Sequence, residues 1–344
     1  MTKENEERRH RARIIKSIRS ADHALRERYP VLNHQDAIGL GITLVSAMGM
    51  VIVSVAYLRG WISAWVAVPA NAFLASLLHE VEHDLMHELY FRHSRWVQNI
   101  MYGIVWTFRG NTLSPWARKS LHLNHHKASG RPDDVEERLI GNGMPMGWQR
   151  LLTMLDQPLS LVINMRRMWR DAPQIFHVRR LLVGSFPVQF VFQNLWYGFV
   201  GSTIALAGVQ VLSALQLPLY TLPSWLTSFH ESLTPIAVIW LLPNFIRQAS
   251  LQIMSSSMHY YGNVEGLTQQ TQILTAWYLI PLQIFCCNFG STHSIHHFVV
   301  NQPFYLRQLV ASEVHPVMKD CGILENDISS NSRANSFLAS PAQS

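Results

Sequence analysis

The sequence predicts an all-α fold. It is a polytopic membrane protein with about four transmembrane helices and a cytoplasmic helical cap that holds a histidine-rich two-metal site. Three observations carry that reading: long uncharged stretches, basic residues kept to one side of them, and 17 histidines in 344 residues, more than half of them in three short clusters. The composition agrees. The chain is 48% hydrophobic and only 15% charged, where soluble domains average about 25% charged, which excludes a disordered chain and disfavours a purely soluble enzyme. Mean hydropathy is only +0.07 because very polar stretches dilute the apolar ones. Three cysteines without a C-x-x-C pair exclude a disulfide framework or a thiolate zinc site. The excess of 28 basic over 22 acidic residues could suit nucleic acid, but its distribution points to a membrane surface and to no nucleic-acid partner.

The first span is Ala37 to Leu58, 22 residues without a charge, enough for a hydrocarbon core of ~30 Å. After Arg59-Gly60, Trp61 to Leu78 gives a second, so the pair reads as a helical hairpin. Some 36 mostly polar residues precede it, which excludes a cleaved signal peptide. A third span falls roughly within Val183–Leu212 and a fourth within Ser232–Ile253, with Arg247 near its cytoplasmic end and Pro218, Pro223 and Trp225 in an exterior loop between them. The stretch Ile273 to Cys287 is short and broken by Pro281, and reads as interfacial or re-entrant.

Basic residues set the orientation. Residues 1–36 hold 9, residues 80–180 hold 14, and Arg247, Arg307, Lys319 and Arg333 bring the count to 27 of 28. Only Arg59 falls on the other side. By the positive-inside rule the N-terminus, the 80–180 region and the C-terminal part are cytoplasmic. Arg166-Arg167-Met168-Trp169-Arg170 reads as a helix lying on the inner leaflet. The expected organisation is a basic cytoplasmic segment over 1–36, a catalytic membrane domain over 37–310, and a largely disordered tail over 311–344, whose Ser, Asn and Ala content from about Asn326 resembles low complexity.

The histidines come next. His79, His83 and His87 continue the second span at i, i+4 and i+8, drifting about 40° per step around a helix. His122, His125 and His126 follow a Ser114-Pro115 helix start and precede a Gly130/Pro132 stop. His293, His296 and His297 repeat the same H-x-x-H-H spacing after Gly290-Ser291-Thr292, and a lone His259 sits at the cytoplasmic end of the last span. A single histidine is usually an ordinary core or surface residue, but two H-x-x-H-H boxes on one side of the membrane are not expected by chance. Nine or ten imidazoles exceed the needs of one ion and suit two, each with four or five ligands and an open position. Glu80, Glu82, Asp84, Asp133, Asp134 and Glu136 are the acids placed to accept the second ring N–H of such ligands.

These boxes, with His259 before the third and Phe298-Val299-Val300-Asn301-Gln302-Pro303-Phe304-Tyr305 after it, resemble those of the membrane fatty acid desaturase family over roughly residues 35–310. The resemblance implies a four-span helical protein with a cytoplasmic cap and a non-haem di-iron centre, with His83, His87, His122, His125, His126, His259, His293, His296 and His297 as ligands and catalytic residues. His79 is an extra histidine: a tenth ligand, a replacement for one in its box, or a partner of a neighbouring acid. O₂ is implied as co-substrate, and a lipid or acyl-thioester as substrate. No haem-binding His-Pro-Gly-Gly occurs, so a separate ferredoxin, rubredoxin or cytochrome b5-type donor is implied. An unactivated methylene has no acidic proton and needs such an oxidant. A tunnel with Trp106, Trp116, Trp277, Tyr260 or Tyr261 in its lining would hold the chain.

Competing readings are a di-iron fatty acid or alkane hydroxylase or carotenoid-type oxygenase, which would share the site, and a histidine-rich metal transporter or sensor. A transporter predicts polar residues inside the spans, where Arg247 stands almost alone. A soluble ferritin-like enzyme would use Glu-x-x-His helices and no spans.

Overall fold

A computed structural model describes residues 2–217 and 221–338. Helix α1 (Lys3–Arg28) is charged but turns Ile14, Ile18 and Ala21 inward at helical spacing. Helices α2 (Gln35–Leu58) and α3 (Ala64–Met86) form the expected hairpin. Helices α4 (Arg95–Phe108), α5 (Pro115–Ala128), the one-turn α6 (Val135–Arg138), α7 (Trp148–Leu155), α8 (Gln157–Asp171) and α9 (Val178–Ser185) build a cap. The third span is α10 (Val188–Ala214). The fourth runs as α11 (Ser224–Ile236), a π turn at Ala237–Leu241 and α12 (Leu242–Met258). The chain then returns to the cap with α13 (Ile280–Phe285), α14 (Phe289–Phe298) and α15 (Phe304–Asp320).

Four helices are long and apolar enough to cross a membrane: Gln35–Leu58, Ala64–Met86, Val188–Ala214 and Ser224–Met258. Their outward faces carry Val45, Met48, Ile52, Ile204 and Val211, all exposed, as a lipid-facing surface requires. Trp61, Trp65 and Trp225 are exposed beside the hairpin turn and the start of α11, and Trp148, Trp169 and Trp277 in the cap, the placement of interfacial aromatic belts. The fourth span has 35 residues, about 52 Å at 1.5 Å per residue, so it outruns the hydrocarbon layer and enters the cap. Its π turn lies between Pro235 and Pro243, where missing N–H groups loosen the ladder. Ile273–Cys287 does not span. It is extended chain followed by a 3₁₀ turn and the six-residue α13, with Trp277 and Ile280 exposed. Pro218 of the expected exterior loop lies outside the described residues.

Two expectations need correcting. The tail beyond 310 is not disordered as far as Leu338. Helix α15 runs through that boundary and packs Val310, Val314 and Met318 against Ile14 and Ile18 of α1. Further on, the Asn335 side chain donates to the Ser256 carbonyl and accepts from the Gly143 N–H. The 1–36 segment likewise shares this core rather than standing apart. Ser114 does start α5, but its hydroxyl makes no cap bond; its backbone N–H donates to the Gly184 carbonyl instead.

Candidate metal centre

Helix geometry explains how the boxes meet. At 100° per residue, His122 and His126 lie about 40° apart on α5, with His125 about 60° to the other side of His122. His293 and His297 on α14 have the same relation to His296. Each H-x-x-H-H box therefore serves two places at once. His83, His87, His122, His126 and His296 form one group, and His125, His259, His293 and His297 a second, with one ring nitrogen or equivalent atom from each member within 4.8 Å of all the others in its group. All nine histidines singled out as ligands in the sequence fall into these groups. His79 falls into neither. Helix α3 ends at Met86, and His87 occupies the cap position with φ −87° and ψ 6°, so it leaves the helical stripe to join its group. His259 is swung inward by extended backbone at the end of α12.

The rings are held from behind. His122 donates Nδ1–H to Glu136 at 2.9 Å, and Arg118 donates to the other oxygen of that carboxylate. His125 donates to Asp134 at 2.9 Å. His259 donates to the Ser255 carbonyl at 2.9 Å, with Glu137 Oε2 at 3.3 Å. His297 donates to Gln270 Oε1 at 3.0 Å. Of the six acids expected behind the rings, Asp134 and Glu136 stand there. Glu80 and Asp84 pair with Arg307, Glu82 pairs with Arg109 and Arg118, and Asp133 pairs with Arg131 at the surface. Gly39 makes room for the ring of Tyr90, whose hydroxyl donates to Asp84: a Cβ at Gly39 would lie 2.5 Å from that ring. Glu137, Gln270 and Arg307 were not singled out in the sequence. Each acts through a partner far along the chain, and spacing carries no signal of that.

The Nε2 atoms face one another: His87–His122 at 2.9 Å, His87–His296 and His126–His296 at 3.0 Å, His259–His297 at 3.3 Å and His293–His297 at 3.2 Å. A neutral imidazole has one N–H and one lone pair. With Nδ1–H committed on both His259 and His297, their Nε2 atoms meet as two lone pairs with no proton between them. Only a cation among them relieves that. Nitrogens about 2.1 Å from one ion at 90–110° lie about 3.0–3.4 Å from each other, the spacing found here. His83, 2% exposed, has no hydrogen-bond partner at either ring nitrogen among the described residues. The donor set fits two imidazole-rich metal sites.

Electrostatics favour the unprotonated rings a metal needs. Burial, then the field of His122, pushes His87 down to about 2. Burial, then His125, pushes His259 down to about 3. His126, His293, His296 and His297 are lowered for the same reasons. His125 differs: burial opposes its charge, but Asp134 outweighs it and carries the ring up to about 9.

A cavity of about 430 Å³ opens beside the centre, touching His83, His122, His125 and His293 and walled by Leu113, Leu161, Leu251 and Phe289. None of the five aromatics expected in its lining is there. Trp106 and Trp116 bond to Thr112 and Asn99, Tyr260 donates to Asp327, Tyr261 stacks on Arg138, and Trp277 is exposed.

The family model described as "Fatty acid desaturase" matches residues 59–328, well over half of the chain and inclusive of all three histidine boxes. No curated protein matches the sequence. With four apolar spans, two histidine groups and this match together, the chain belongs to the fatty acid desaturase family.

Proposed function

We propose that this chain is a membrane-bound fatty acid desaturase that takes an acyl lipid or acyl thioester and removes two hydrogens from an unactivated part of its chain. The facing, unprotonated Nε2 atoms carry this reading. His83, His87, His122, His126 and His296 would hold one iron and His125, His259, His293 and His297 the other. Two irons so held supply an O₂-derived oxidant strong enough for an unactivated C–H bond. Overall, two electrons and two protons join O₂ and the two substrate hydrogens to give two waters and a C=C bond. Electrons come from a separate ferredoxin, rubredoxin or cytochrome b5-type donor.

The protein's own contributions are positional. Asp134, Glu136, Gln270 and the Ser255 carbonyl fix which nitrogen of each ring faces inward. The leucine-rich cavity wall seats an apolar chain against His83 and His293 and excludes bulk water. Placing 27 of 28 basic residues on the cap side of the spans supports a cytoplasmic catalytic face.

Purified protein is expected to hold close to two irons per chain, and a host with simple lipids that expresses it should gain a new unsaturated fatty acid by mass spectrometry. Alanine at His126 or His297 should abolish that product. Activity in a preparation holding one zinc and no iron would refute the centre, and an added oxygen in place of a double bond would reassign the chain as a hydroxylase.

A further inference from the structure

The cavity beside the histidines has a mouth. At its inner end stand His83, His122, His125 and His293, each at most 3% exposed. Of the residues that line it, those that are exposed are Leu182 on α9 and Phe190, Asn194 and Tyr197 on α10. The last three fall at i, i+4 and i+7, one stripe of α10. Gln189 and Gln193 line the cavity from the adjoining, less exposed face of the same helix. The charged lining residues Arg118 and Glu136 are held in an ion pair at 2.9 Å and are only 17% and 18% exposed. The way out therefore runs between α9 and α10.

That way out meets lipid. Phe190 to Tyr197 covers about 10 Å near the start of the third span at 1.5 Å per residue. Helix α10 has 27 residues and so measures about 40 Å, against a hydrocarbon core of ~30 Å. Its first turns lie where headgroups give way to hydrocarbon on the cap side. The rim is apolar: Leu182, Val183 and Phe186 beside Phe190 and Val191 are 47–69% exposed, a cluster that is costly in water and at home in a leaflet. The polar groups of the rim are already answered, since Asn194 donates to the Phe190 carbonyl at 2.7 Å and Tyr197 to Asp156 at 2.8 Å. Just ahead of Leu182, Arg179 and Arg180 are exposed at the start of α9, a charged end that suits lipid phosphates.

Resting on the desaturase reading for what the centre does, we infer that the substrate is an acyl chain of a phospholipid already resident in the cap-side leaflet, and that it enters sideways between α9 and α10. Its phosphate stays at the membrane surface beside Arg179 and Arg180, while the chain passes Leu182 and Phe190 toward the histidines. A chain held by a soluble carrier protein would have to leave its carrier and enter the leaflet before it met this rim. A chain already in the leaflet needs only to move laterally.

Full-length protein in phosphatidylcholine liposomes tests this, with a trace of phosphatidylcholine whose acyl chain carries a diazirine. Illumination and peptide mass spectrometry should find adducts on the buried cavity residues Leu121 and Phe289, besides those on the outward Met48 and Ile52 of α2. Asn194→Cys alkylated with a bulky maleimide after purification, and separately Leu182→Trp, should lower the inner adducts about tenfold, as added bulk in a fitted passage does. The α2 adducts should not change, and the melting temperature reports that each protein is folded. The same maleimide on the unmodified protein is the control, since Cys286 and Cys321 are buried and Cys287 is half-buried. A lack of inner adducts, as when a second copy covers the rim, would overturn the inference, and so would inner adducts undiminished in both blocked proteins. Stronger inner labelling from the same chain supplied on an acyl carrier protein would also overturn it. Labelling needs no turnover. Inner adducts without any new double bond defeat the proposed function alone, and a new double bond without inner adducts from the phospholipid defeats this inference alone.

Discussion

Arg307 and Asp84 stand 223 positions apart in sequence and 3.0 Å apart in space. The same guanidinium reaches Glu80 at 3.2 Å, and all three side chains are almost wholly buried. Asp84 also accepts from Tyr90 and from the Phe304 N–H. The C-terminal helix α15 is thereby tied to the helix that carries the first histidine box. Removing one partner leaves two buried carboxylates without their cation, which typically costs about 3–5 kcal/mol. Arg307→Leu should therefore lower the melting temperature of the purified protein markedly, and Arg307→Lys should recover only part of the loss, because a single ammonium cannot serve both carboxylates with the same geometry.

Glu136 and Asp134 each steady a different histidine group. Glu136→Gln and Asp134→Asn should each weaken metal retention by about 10–100-fold and should do so at different sites. Iron remaining per chain after graded dialysis against a chelator measures this, with each variant expected to shed one iron ahead of the other. Loss of both irons together in both variants would show that the two groups do not hold metal independently.

His79 should be dispensable for iron. It lies outside both histidine groups and faces Phe289 and the cavity. His79→Ala should keep a full iron complement, while His87→Ala should lose iron from the first group. Metal analysis settles the pair, and the opposite pattern would move the first-box ligands one helical turn.

The chain end should matter for stability despite its composition. Asn331 accepts from Arg150, Ser330 accepts from Gln272, and Asn335 bridges Ser256 and Gly143. A chain ending at Asn326 should be more easily proteolysed around Arg138–Met144 and should hold iron less well. Unchanged protease resistance would show that these bonds carry no stability.

Sidedness is accessible to labelling, because Cys286 and Cys321 are buried and Cys287 is half-buried. Cysteine placed at Arg131, 65% exposed at its side chain, should react with a membrane-impermeant maleimide only from the cytoplasm. Cysteine at Trp225, 66% exposed, should react only from outside. Reaction of both from one side would contradict the four-span arrangement.

Much of this molecule was legible because its signals are local. Uncharged runs gave the spans, and H-x-x-H-H spacing picked out the histidines that converge, since both follow from the period of one helix. What escaped notice depends on partners. Asp133 and Asp134 are neighbours in sequence, yet one pairs with a surface arginine and the other holds His125. The Ser- and Asn-rich end read as disordered because it buries little apolar surface; it is ordered instead by amide side chains that satisfy distant backbone groups. The cavity glutamines passed unnoticed since uncharged amides barely interrupt an apolar run.

Helix α3 runs unbroken from Ala64 to Met86, so the 18 residue steps from Trp65 to His83 form a strut of about 27 Å. In the proposed four-span arrangement Trp65, 90% exposed, stands at the far membrane interface. The height of the histidine centre above that interface is thus set by the protein, while the depth of the lipid layer is set by its surroundings. A bilayer a few ångströms thicker must pucker around the strut or tilt it, and either response moves the centre relative to the surface from which the substrate enters. The thickness of the host membrane therefore acts as a dial on where along a lipid chain the centre can reach.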